Sequence, residues 1–152
     1  MLEISIEEKE IIQKEIEILS KKYSATKKAN NEFEKLLRAI ENQNIEEAQL
    51  PVLGQVLELL LTSGKVRKNF GFVEEQKILR LYGKTPAGIE RKENIIELNK
   101  SLKVLQYQKI EDISFSIKLP GVYSILIKTD ECEITLNADH SGIYADKLEV
   151  EI

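Results

Sequence analysis

From Ser5 to about Gln43 the chain carries neither glycine nor proline, and its apolar residues return on a helical period. Ile12, Leu19, Thr26, Phe33 and Ile40 stand seven apart, with Ile16, Tyr23, Ala29, Leu36 and Leu37 in the adjacent rows of the same face. Ser5 followed by Glu8 has the spacing of a capping box, and Glu7, Glu8 and Glu10 suit the positive end of a helix dipole. The pattern predicts a long N-terminal helix over about 5–43, or two in line if Asn30-Asn31 interrupts it. At 1.5 Å per residue, ~39 residues extend about 58 Å, which is longer than a small domain is wide. Such a rod has to pack along another helix or project from the body. A coiled-coil-like seam of Ile12, Ile16, Leu19, Tyr23, Phe33, Leu37 and Ile40 in a homo-oligomer is the expectation.

Shorter helices are expected next. Asn42-Gln43-Asn44 reads as a break, and Pro51 fits the first turn of a helix over about 51–62 that ends before Gly64. Val52, Leu53, Val56, Leu57 and the leucines 59–61 make that helix apolar on most sides, which places it centrally. Residues 65–73 read as irregular or extended, 74–82 as a helix stopped at Gly83. Thr85-Pro86 opens a helix over about 86–106 with a stripe of Ile89, Ile95, Leu98, Leu102 and Leu105. After Ile110 the period becomes 2. Ile113, Phe115, Ile117 and Leu119 alternate with serines and a lysine, Pro120-Gly121 turns the chain, and Val122 to Lys128 follows as a second strand. Cys132, Ile134 and Leu136 mark a third strand, and Leu148, Val150 and Ile152 a fourth. The predicted class is α+β: a helical region 1–109, then an antiparallel meander over 110–152 with one face packed and one wet.

Composition narrows the function. Of 152 residues, 42% are hydrophobic, enough for a core. One cysteine and one histidine exclude a four-thiolate site and every paired-histidine metal motif within one chain. The acidic start lacks the apolar run of a signal peptide, and Val56 to Leu61 is too short to span a bilayer. A soluble, cytoplasmic protein without membrane contact is therefore expected. Charge is uneven: residues 51–109 hold 11 basic and 6 acidic side chains, whereas 110–152 hold 3 and 9. Such asymmetry can serve a partner or be neutralised within the protein.

Individual motifs add little chemistry. Ser63-Gly64-Lys65 lacks the earlier glycine and the following hydroxyl of a phosphate loop, and it follows a helix where that loop needs a strand. Lys68-Asn69-Phe70-Gly71-Phe72-Val73 resembles the aromatic octamer that RNA-recognition and cold-shock domains place on a strand. That resemblance implies base stacking by Phe70 and Phe72 and phosphate contacts by Lys65, Arg67 and Lys68. Asn69 and Glu75 depart from the pattern, and the flanking helices depart from both folds. A loop anchored by the two rings is the competing reading. His140 lies in a polar turn without a nucleophile or orienting partner in view, and Cys132 falls on an apolar strand face. No catalytic residue, metal ligand or cofactor site is named. The leading expectation is a non-enzymatic assembly or adaptor protein acting through its helices. The alternative is a nucleic-acid-associated protein using segment 65–92.

Overall fold

The computed structural model of the chain describes residues 1–22 and 27–150, with only the backbone for Leu19, Ser20, Lys22, 27–30 and Val150. The class is α+β: helices come first, and a four-stranded antiparallel sheet follows. The chain divides into two compact units, Met1–Ile89 and Glu90–Ile152. The boundary therefore falls inside the helix expected at 86–106, and not after residue 109.

The first unit opens with a short strand β1 (Leu2–Glu3) and two helices, α1 (Ile6–Lys22) and α2 (Lys27–Glu41), followed by strand β2 (Asn44–Ile45). The capping box forms as its spacing predicts: Ser5 N–H donates to Glu8 Oε2 (2.7 Å), and Glu8 N–H donates to Ser5 Oγ (3.2 Å). The rod does not form. Leu2 pairs with Ile45 and Glu3 with Asn44, while Lys9 Nζ donates to the Glu41 carbonyl at 2.9 Å, so α2 runs back along α1. Gln43 takes a left-handed conformation (φ 54°), and its side-chain amide donates to the Ile4 carbonyl at 3.0 Å. This closes the hairpin at its open end.

Doubling back gives the seam an intramolecular partner. Ile12, Ile16, Leu36 and Ile40 are fully buried in one cluster with Leu53, Val56 and Leu57, and Phe33 and Leu37 pack against it. The expected oligomer interface is thereby corrected: Ile12, Ile16 and Ile40 are core residues of one chain and are closed to a second copy. Tyr23 lies outside the described residues, as does the side chain of Leu19.

The cluster is completed by α3 (Leu50–Thr62), α4 (Lys65–Phe70) and α5 (Phe72–Tyr82). The central helix is α3, which packs against α1, α2, α4 and α5. The irregular reading of 65–73 is corrected to helix, broken at Gly71 (φ 101°), a conformation that suits glycine. Val66 supplies the reason: it is buried, and one helical turn carries it into the core. Next comes α6 (Pro86–Leu102), capped by Thr85. Thr85 Oγ1 donates to the Tyr82 carbonyl at 2.7 Å and accepts from Gly88 N–H at 3.3 Å, fully buried against Gly54.

The second unit carries β3 (Ile110–Leu119), β4 (Val122–Thr129), β5 (Cys132–Asp139) and β6 (Gly142–Val150), in that spatial order. Its rows run across the sheet: Ile113, Ile127, Ile134 and Leu148; Phe115, Ile125, Leu136 and Ala145; Ile117, Tyr123, Ala138 and Ile143. All lie on one face by cross-strand pairing, the register shift between Thr135 and Leu136 bringing Ala145 into its row. Leu98, Leu102 and Leu105 from the end of α6 and the 3₁₀ turn after it cover the middle strands, packing with Ile125, Ile127, Ile134 and Leu136. Ile89 and Ile95, expected on the same stripe, are exposed. Among the expected strand residues, Ile152 lies outside the described ones.

Among the glycines the tightest approach is at Gly88, where an added Cβ would sit 2.0 Å from the Tyr82 carbonyl oxygen and 2.8 Å from Gly83 Cα. Backbone cannot yield as a flexible side chain can. We expect Gly88→Ala to cost about 2–3 kcal/mol, the upper range of overpacking. Gly54→Ala, whose Cβ meets Thr85 Oγ1 at 3.1 Å, should cost less. Urea denaturation of the two variants checks the ranking.

Candidate functional site

Two of the basic residues expected to meet nucleic acid, Lys65 and Arg67, are engaged within the first unit. Lys65 Nζ lies 3.0 Å from Glu15 Oε1, whose side chain is only 8% exposed. Arg67 Nε lies 2.9 Å from Glu75 Oε2, and its guanidinium sits 5.2 Å from the Phe72 ring centre. Lys14 Nζ sits 5.7 Å from the Phe70 ring centre. Lys68 is exposed beside a groove of about 240 Å³ lined by Ile11, Ile18, Leu60, Val66 and Phe70. Phe70 ends α4 and Phe72 begins α5, with Gly71 between them. Two rings on one strand face two residues apart, the geometry behind the octamer resemblance, are therefore not present. This corrects the stacking platform. The rings instead carry cations of their own chain.

The remaining sequence candidates are structural in their surroundings. His140 is exposed in the β5–β6 turn, and its carbonyl accepts from Arg91 at 3.2 Å. In the same turn Asp139 Oδ1 accepts from Ser141 N–H (2.7 Å) and from the Ser141 hydroxyl. These bonds hold the Asp139 carboxyl below its ordinary value. The Tyr144 hydroxyl donates to Asp139 Oδ2 at 3.2 Å; desolvation and that carboxylate push its phenol up. Cys132 is buried, with its N–H donating to Thr129 Oγ1 at 2.9 Å. Among the described residues no three His, Cys, Asp or Glu side chains gather as a metal site, and no helix is long and apolar enough to cross a membrane.

What the sequence reading missed is the surface around β3. All ten residues of this edge strand are exposed. Phe115 is 76% exposed and Ile117 70%, and Ile113, Leu119 and Tyr123 are also exposed. Alternation shows which residues share a face, but not whether that face is covered. One helix end, three leucine-type side chains wide, covers the centre and leaves this margin. On the polar face, Lys118 Nζ lies 2.9 Å from Asp146 Oδ2, tying the two outer strands together. Bonds from Lys118 and Asn137 keep the Asp146 carboxyl low.

Comparison with known proteins finds no match: no family model, no curated protein and no solved structure.

Among the described residues Glu15 is the nearly buried carboxylate beside this segment, and removing Lys65 would strand it. We expect Lys65→Ala to cost about 1–3 kcal/mol, the penalty for a buried group left unpaired. Lys68→Ala, at an exposed position, should stay within about 0.5 kcal/mol of wild type. Equilibrium unfolding checks the contrast, and equal effects would show that Lys65 serves the surface rather than the core.

Proposed function

We propose that the chain is a non-enzymatic assembly or adaptor protein that acts through protein–protein contacts in a cytoplasmic setting. The observation that carries this reading is the open edge of β3, ten residues long and exposed throughout, beside an apolar sheet margin. Unpaired backbone N–H and C=O groups along an edge are a template for another strand, and the neighbouring apolar side chains add area to the contact. A protein segment in extended conformation has both complementary features. The single cysteine, buried and without a disulfide partner, suits a reducing compartment.

Nucleic-acid binding by segment 65–92 has less support, because Lys65 and Arg67 already face Glu15 and Glu75. Neutralised cations release few counterions from a phosphate backbone. The surface that distinguishes the two readings is therefore the sheet edge.

A photo-reactive phenylalanine analogue placed at position 115 of the full chain, and separately at position 68, tests the reading in cells. Protein adducts from position 115, lost when the analogue is moved to the polar-face position 128, are expected. Position 68 should give no nucleic-acid adduct. Absence of any protein adduct from position 115 would overturn the proposal, and nucleic-acid adducts from position 68 would favour the alternative.

A further inference from the structure

The open edge has a sequence that fits itself. Residues 112–118 read Asp-Ile-Ser-Phe-Ser-Ile-Lys, a palindrome about Phe115 except that its two ends carry opposite charges. In an antiparallel pair, residues directly opposite share a face of the sheet. Laying this strand against a second copy with Phe115 facing Phe115 therefore sets Ile113 opposite Ile117, Ser114 opposite Ser116, and Asp112 opposite Lys118, each twice. We infer that β3 is a self-association edge that joins two copies of this chain in that register, forming one continuous eight-stranded sheet. This deepens the assembly reading by naming a second copy as the partner.

Register is selective here. A slip by one residue opposes the apolar face of one strand to the polar face of the other, which the two-residue period forbids. A slip that brings Phe115 opposite Ile113 places Asp112 against Ser116 and Lys118 against Ile110. The opposite slip places Phe115 against Ile117 and Lys118 against Ser114. Only the Phe115-centred register matches both charges. The strand is regular over the apolar and serine pairs of this pairing. Its register with β4 is continuous from Asp112 to Ile117, and the irregularities lie between Ile110 and Asp112 and between Ile117 and Leu119, the second at Lys118, whose side chain is long enough to follow the opposing carboxylate. Two-fold pairing repeats one patch on both copies and closes, as a symmetric dimer requires.

Lys118 already meets Asp146 of its own chain, with side chains 53% and 42% exposed. An exposed pair of this kind contributes little. Lys118 can therefore exchange Asp146 for a carboxylate of a second copy at little cost. The apolar contribution comes from Phe115 and Ile117, the two most exposed apolar residues on the regular part of the strand.

Charge exchange between copies gives the test. In the Asp112→Lys variant two lysines oppose each other at both ends, and in the Lys118→Asp variant two aspartates do. Mixed one to one, the two variants restore an opposite pair at each end. Sedimentation equilibrium of the full chain at tens of micromolar should show a wild-type dimer. Each variant alone should raise the dissociation constant at least about tenfold, since cross-strand charge pairs turn from attraction to repulsion. The mixture should return to within about threefold of wild type. Lys118→Asp also disturbs Asp146, so circular dichroism monitors its fold, and Phe115→Glu serves as a second, uncharged-partner-independent block that should leave only monomer. A monomeric wild type, or a dimer indifferent to Phe115→Glu, or a mixture no stronger than its components, would overturn the inference. Position 115 adducts to a different protein would then leave the assembly reading standing without it, whereas the absence of any protein adduct from position 115 would remove both.

Discussion

The burial of α1 against α2 is the contact on which the first unit depends. Ile12, Ile16, Leu36 and Ile40 are fully buried there, and each such side chain is worth roughly 1.5–3 kcal/mol relative to exposure. Together that is on the order of ten kcal/mol, as large as the net stability of a domain. A capping box adds about 1 kcal/mol, and an exposed ion pair such as Arg67–Glu75 adds about 0–1. The polar contacts therefore set the ends and angles of the helices, while the apolar seam decides that they double back. That seam is satisfied within the chain, whereas the apolar margin of the sheet beside β3 is exposed.

The same comparison explains what was legible in the sequence. Ser5 with Glu8 fixed one helix start, and Thr85-Pro86 another, because capping chemistry is local and the residues that perform it are adjacent. The change of period after Ile110 revealed the sheet and its two faces for the same reason. The hairpin was not legible. A seven-residue seam records that a partner helix exists, and Ile12 or Ile40 would look the same with an intramolecular partner as with a second chain. Residues 65–70 read as irregular in sequence because six residues are too few for a helical period to stand out. Val66 alone carries the signal that they enter the core.

Charge offers a parallel case. The basic middle of the sequence suggested a partner of opposite sign, and two of its cations do have one, in Glu15 and Glu75 of the same unit. Glu15 lies fifty residues before Lys65, so no local pattern could disclose the pair. Phe70 and Phe72 illustrate the limit of a short motif. Their spacing matches a strand platform, yet Gly71 separates them onto two helices, and the motif's chemistry depends on the strand rather than on the residue types.

The two outer strands of the sheet differ in a way that bears on assembly. On β6, Asp146, Lys147 and Glu149 follow one another closely, Lys147 pairs with Glu149, and the register against β5 shifts between Thr135 and Leu136. Charges and irregularities of this kind are how an exposed edge is kept from adding a further strand. On β3 the five residues between Asp112 and Lys118 are uncharged and their register is regular. A sheet with both edges open would add copies at each side and grow into a fibre. A sheet with one guarded edge and one open, self-matching edge can add a single copy and then has no open edge left. In the pairing inferred for β3, the difference between β3 and β6 would favour a closed pair over an extended polymer, with the charged ends of β3 setting its register and the strand's apolar centre supplying the contact.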